Sequence, residues 1–252
     1  MLKQFFIKKR KIFRGILNTY FRRVGQKYND KEWWDNSFYT EGISDRQTIS
    51  QKKSIISAKY HYNSIELQIL KNLYNQQFST HQSTVLDLGS GSGHWIDFYK
   101  SLGSSRLVGL DISFSSVNYL KDKYINQNDI EIINGKAFEI IDQLNVKFDI
   151  VNAIGVMFHI IDDSEWIETI NKIAGTLKKK GLLIVGGHFG FLNGLNVQIS
   201  EGQINKRLRS KKRWIRVLKK AGFSNIKVYK NNMYLWINDP LPENNVLIAE
   251  KL

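Results

Sequence analysis

The stretch Val85–Tyr99, VLDLGSGSGHWIDFY, reads as a buried strand, a glycine turn and the first turns of a helix. Val85, Leu86 and Leu88 are apolar on both faces, as in a strand covered on both sides. Asp87, Gly89, Gly91 and Gly93 follow the spacing D-x-G-x-G-x-G, which puts an acid at the strand end and removes side chains where the chain turns sharply. A ligand can then approach the backbone closely. The dinucleotide pattern G-x-G-x-x-G fails, because His94 stands where its last glycine would be, and hydride chemistry loses its main support.

Working outward, short apolar strands alternate with helices. After the turn come a helix from His94 to Leu102, LVGLD ending at Asp111, a helix from Ser113 to Tyr124, and IEII ending at Ile133. FDIVNAI follows from Phe148, then a helix opened by Asp162, Asp163 and Glu165 and closed near Lys178–Gly181, then LLIVGG. A basic helix ends at Ala221–Phe223, and NIKVY and VLIAEKL flank a turn around Pro240 and Pro242. The pattern predicts an α/β fold: a doubly wound, mostly parallel seven-stranded sheet with a C-terminal antiparallel hairpin.

Upstream, residues 29–80 read as an N-terminal helical cap, with Trp33, Trp34 and Phe38 in a polar stretch and an apolar-periodic helix from Ile55 to Tyr74. Residues 1–28 read as a basic amphipathic helix, for which packing on the domain and lying on an anionic membrane are both open. Residues 81–252 form the expected main domain.

The 252 residues carry a formal charge of +14, concentrated in two clusters, Met1–Lys27 and Lys206–Lys220, each with nine basic residues and no acid. The rest of the chain is slightly acidic, so its body is not itself a polycation. There is no cysteine, which excludes disulfides, thiolate nucleophiles, iron–sulfur clusters and cysteine-ligated zinc. No apolar run reaches the roughly 20 residues of a membrane span, and Lys8–Lys11 interrupts any signal-like core. A cytoplasmic protein is expected, with peripheral contact at the inner membrane face open through the N-terminal helix.

From about Thr84 onward the chain resembles the class I, Rossmann-like S-adenosylmethionine methyltransferases. The matches come in order: the glycine loop, Asp111 at the second strand end, Phe148-Asp149 opening a strand, the KKKG–LLIV helix-to-strand turn, and the late AGF. The resemblance implies S-adenosyl-L-methionine as cofactor, with Asp87 and the Gly89, Ser90, Gly91 and Gly93 backbone around its methionine part. It implies Asp111 on the ribose hydroxyls, Ile112 against adenine, and Asn152 and Ala153 beside the methyl group. In NGKAFEI, Lys136 stands where the family commonly has an acid that accepts from the adenine amino group. Lysine has no acceptor, so adenine recognition is expected from the backbone near Ala137 and from Phe138.

Methyl transfer by displacement needs mainly alignment. An oxygen acceptor gains from a base, and His188, His159 and His61 are the candidates. No metal is implied. The missing cysteines exclude a pyrimidine C5 adduct, and the Asn/Asp-Pro-Pro-Tyr/Phe loop of amino-methylating nucleic-acid enzymes is absent. O-methylation of a small molecule or glycan, anionic and in one version lipid-linked, is the expected activity. RNA methylation and a non-catalytic cofactor-binding scaffold are the alternatives. Phe189–Lys220 reads as a substrate-facing loop leading into a basic helix, where Arg207, Arg209, Arg213 and Arg216 could meet phosphate or carboxylate.

Overall fold

The computed structural model describes residues 29–39, 42–49, 54–187, 189–190, 196–200, 203–229 and 245–252. The basic segment 1–28, His188 and the turn around Pro240 and Pro242 lie outside these residues.

The cap consists of three helices: α1 (Asp30–Tyr39), α2 (Asp45–Ile49) and α3 (Ile55–Asn75). Helix α3 starts where Ser54 turns extended and its hydroxyl accepts from the Ser57 amide. Its apolar stripe of Ile65, Ile69 and Leu73 is buried.

Seven strands make the main sheet: β1 (Thr84–Leu88), β2 (Arg106–Asp111), β3 (Ile130–Asn134), β4 (Phe148–Ile154), β5 (Leu177–Gly187), β8 (Phe223–Tyr229) and β9 (Asn245–Lys251). Their order is β3-β2-β1-β4-β5-β9-β8. Neighbours among β1–β5 pair in parallel, while β9 pairs antiparallel with both β5 and β8. The mostly parallel sheet and closing antiparallel pair match the pattern of apolar runs. Between them lie α4 (His94–Ser101), α5 (Phe114–Lys123), α6 (Ala137–Ile140), α7 (Asp163–Thr176) and α8 (Lys211–Lys220).

Alternation along the strands feeds two cores. Leu86, Leu88, Val108, Leu110, Val151 and Ala153 join one with Trp166, Ile170 and Ile173 of α7. Val85, Leu107, Ile150 and Ile154 join the other with Ile65 and Ile69 of α3 and Trp95, Ile96 and Tyr99 of α4. The carboxyl ends of β1, β2 and β4 meet where strand order reverses around β1, the place at which doubly wound sheets bind ligands.

Two local expectations change. Helix α7 gives way directly to β5 at Leu177, and Lys180 takes the left-handed conformation inside that strand. The supposed long loop after β5 contains an antiparallel hairpin, β6 (Asn196–Ser200) and β7 (Gln203–Leu208). Strand β7 returns the chain across the turn that follows β4, where the Arg207 amide donates to the Phe158 carbonyl at 2.7 Å.

Candidate cofactor-binding site

Glycine at 89, 91 and 93 meets a steric demand, since all three have positive φ (70°, 53° and 82°). At Gly89 a Cβ would also come within 2.9 Å of Val156 Cγ2 in the turn after β4. The loop is pinned from several sides. The Gly89 amide donates to the Leu110 carbonyl at 2.7 Å, the Ser90 hydroxyl to the Asp87 carbonyl at 3.0 Å, and the Ser116 hydroxyl to the Gly91 carbonyl at 2.6 Å.

Asp111 ties this loop to the next. One carboxylate oxygen accepts from the Gly91 amide at 2.8 Å and the other from the Ser113 amide at 2.9 Å. A carboxylate offers about four acceptor positions, so capacity for two hydroxyls remains. Burial raises its pKa, opposed by those two amides. The Asn134 side chain donates to the Asp111 and Ile112 carbonyls at 3.0 and 3.1 Å, fixing the backbone of the second loop.

Asp87 sits beneath the loop, 1% exposed. Its Oδ1 accepts from Asn152 Nδ2 at 2.7 Å, and Asn152 Oδ1 accepts from the Tyr99 hydroxyl at 3.2 Å. Its Oδ2 is buried with no partner among the described residues. Burial, with Asp111 nearby, pushes its pKa up to about 7. A buried acceptor left unpaired is costly, and it suits a ligand bringing an ammonium or sulfonium to that end of the loop. The carboxylate at β2, the bare loop and this orphaned oxygen together fit S-adenosylmethionine.

The other predicted residues are distributed as follows. Ala137 packs against the core from α6, and the Phe138 ring faces Lys172 Nζ at 6.0 Å. Ala153 lies wholly in the core. His159 follows β4, its ring edge-on to Trp34 of the cap at 4.7 Å, and His61 lies on α3 edge-on to Tyr62 at 5.7 Å. These two histidines are not brought together, since each packs on a different aromatic partner.

Sequence reasoning missed three acids of the cap. Asp30 pairs with Lys136 at 2.8 Å. Asp35 accepts from the Ser113 hydroxyl at 2.8 Å and the Ser115 amide at 3.2 Å. Asp45 accepts from the Ser92 hydroxyl at 2.6 Å and meets His94 Nδ1 at 2.8 Å. Each of the three cofactor-side loops is thus held by one carboxylate of the cap. His94 also meets Glu66 Oε1 through Nε2 at 2.7 Å and stacks on Tyr62 with ring centres 3.6 Å apart. Burial disfavours its cation, but the two flanking carboxylates outweigh that and raise its pKa to about 9. No local pattern marks these contacts, since Asp45 and Glu66 lie 49 and 28 residues before His94.

The arginines of the second basic cluster need a correction. Arg209 is 1% exposed and spends its donors on Asp163 and on the Ile160, Asp162 and Arg207 carbonyls, over the Trp166 ring. Arg207 and Arg213 pair with the same Asp163 at 3.1 and 2.8 Å. They join the hairpin and α8 to the start of α7, because a buried guanidinium must have a partner. Arg216 is exposed on α8.

Comparison with known proteins agrees with this geometry. Residues 85–181 match the family model described as "Methyltransferase domain". The ribosomal protein L11 methyltransferase of Fusobacterium nucleatum is 32% identical over 112 residues, covering 42% of this chain and 35% of that protein. That of Lactobacillus gasseri is 26% identical over 190 residues, covering 74% of this chain and 56% of that protein. The chain therefore spans about half or less of the length of these relatives. Among solved structures, magnesium protoporphyrin IX methyltransferase from Synechocystis with bound S-adenosylmethionine has a TM-score of 0.63 at 16% identity, over 90% of this chain and all of that one. A methyltransferase from Clostridium acetobutylicum has a TM-score of 0.60 at 14% identity, over 78% and 94%. The match over residues 85–181 to a methyltransferase domain thus falls on the strands and loops that build this site, and the fold is that of S-adenosylmethionine-dependent methyltransferases.

Proposed function

We propose that the protein transfers a methyl group from S-adenosylmethionine to an oxygen of a small anionic molecule or glycan. When bound, the cofactor supplies a methyl group already activated on a sulfonium, so the protein's work is to hold and align. Asp87 holds the cationic end, Asp111 the ribose, and the cap keeps water from the crevice. His159, where the turn after β4 meets Trp34, is the proposed base for the acceptor hydroxyl, with His188 and His61 as the other candidates.

The observation that carries the acceptor class is Arg207. Two of its nitrogens are taken by Asp163 and the Ile161 carbonyl, while its buried Nε has no partner among the described residues. It borders an opening beside Met157, Phe158, Gly187, Phe189 and Trp214, with room for about one water (≈ 10 Å³). Lys206 Nζ lies 5.3 Å over the Phe158 ring at the same wall. An unpartnered N–H of a guanidinium in this wall suits an oxygen of a carboxylate or phosphate.

Methylation of a protein is a second reading, favoured by similarity to the ribosomal protein L11 methyltransferases. Incubation with methyl-labelled cofactor and fractionated extract separates these. Label in small-molecule or glycan fractions supports the leading proposal. Label that protease removes supports the second reading, and label that nuclease removes points to RNA; either sinks the first. Among the described residues no helix is long and apolar enough to cross a membrane. Peripheral attachment through residues 1–28 remains a proposal, tested by vesicle co-sedimentation with and without that segment.

A further inference from the structure

Lys136 leaves the adenine end of the site without the acceptor that a 6-amino group needs. We propose that Asp30, on the cap, supplies it.

Helix α1 lies across the gap between two loops. Asp35 is bonded to Ser113 and Ser115, just after Ile112, and Asp30 to Lys136, just before Ala137. Five residues of helix span about 7.5 Å, so the two anchor points straddle the place between Ile112 and Ala137 that the cofactor reading gives to adenine. Asp30 Oδ2 meets Lys136 Nζ and its Oδ1 accepts from the Lys31 amide at 2.9 Å. Each oxygen retains capacity for another donor. The Asp30 side chain is 27% exposed, partly shielded yet open on one side.

Lys136 then has a reason to be there. It cannot accept from adenine, but it can hold the carboxylate that does. Glu165 and Glu139 are the other acids that Lys136 and Asp30 feel; neither makes the direct 2.8 Å contact with Lys136. In this arrangement adenine recognition needs the cap in place, so cofactor binding and cap docking are coupled through one carboxylate.

The role rests on the assignment of the cofactor loops. It is tested by calorimetry with two ligands: S-adenosylhomocysteine, and its analogue with hydrogen in place of the 6-amino group. For Asp30→Ala, S-adenosylhomocysteine should bind about ten- to a hundredfold more weakly. The desamino analogue should change by no more than about twofold. Lys136→Met, which frees Asp30 without removing it, should keep most of the wild-type preference for the amino ligand. Equal weakening of both ligands by Asp30→Ala would overturn the proposal, because Asp30 would then act only by holding the cap. Loss of the preference in Lys136→Met as complete as in Asp30→Ala would overturn it too. If wild-type protein bound neither ligand, the cofactor assignment would fall along with the role of Asp30.

Discussion

Asp111 and Asp163 are both acids at the meeting of a strand-end loop and a helix, yet they are used in opposite ways. Asp111 accepts from two backbone amides, at Gly91 and Ser113, and retains capacity for a ligand. Asp163 is ringed by Arg207, Arg209 and Arg213, more than forty residues later in the chain. The first belongs to a half of the crevice built from neighbouring turns. The second belongs to a half stitched together by cations that return from a distant hairpin and helix. The loops of the cofactor half are therefore turned by local geometry, and the half proposed for the acceptor is built by long-range pairing that leaves Arg207 Nε and Trp166 Nε1 without partners among the described residues.

Substituting each acid should separate the halves. The largest effect on stability is expected for Asp163→Ala, which takes the shared carboxylate from three guanidinium groups, one of them 1% exposed. Loss of one partner of a buried ion pair costs about 3–5 kcal/mol, which for a chain of this size lowers Tm by roughly 10 °C, read by calorimetry. A change below about 1 kcal/mol would mean that solvent already satisfies the arginines. Asp111→Ala should act mainly on binding, weakening S-adenosylhomocysteine by about a hundredfold through lost charge-assisted bonds and a loosened Gly91. Unaltered affinity would remove Asp111 from the ribose site.

The subtlest test concerns Asp87. A carboxyl whose folded pKa is about 7 holds its proton in the folded state where the unfolded chain has released it. The sign follows: the contribution favours folding least at high pH, so unliganded stability falls as pH rises from about 4 to 7, by at most about 1.4 kcal/mol per unit. Asp87→Asn should flatten that slope in thermal scans across this range. A cationic ligand favours the ionised form, so cofactor uptake below pH 7 should release a proton. Calorimetry in buffers of different ionisation enthalpy reads that release, and none at pH 6 would contradict this role.

The same contrast explains what was legible in the sequence. The central strands β1, β2 and β4 were readable because the sheet buries both faces there and leaves nearly continuous apolar runs, and Gly89, Gly91 and Gly93 because their positive φ values favour glycine. Asp111 was readable as the acid closing LVGLD. The roles of Asp30, Asp35 and Asp45 were not, because each bonds a loop 47 or more residues away and nothing local marks it. Arg209 looked like a surface cation within a basic run; only the return of β7 over the turn after β4 buries it. The hairpin itself was missed because its alternating run, Leu195–Ser200, is short and lies between Gly194 and Gly202 in a stretch otherwise read as a loop.

The most direct test of the account is titration of the full-length protein with S-adenosylhomocysteine in a calorimeter, beside Asp111→Ala. The account predicts one saturable site in the wild type, with affinity sharply reduced in the variant. Absence of wild-type binding at near-millimolar ligand would contradict it.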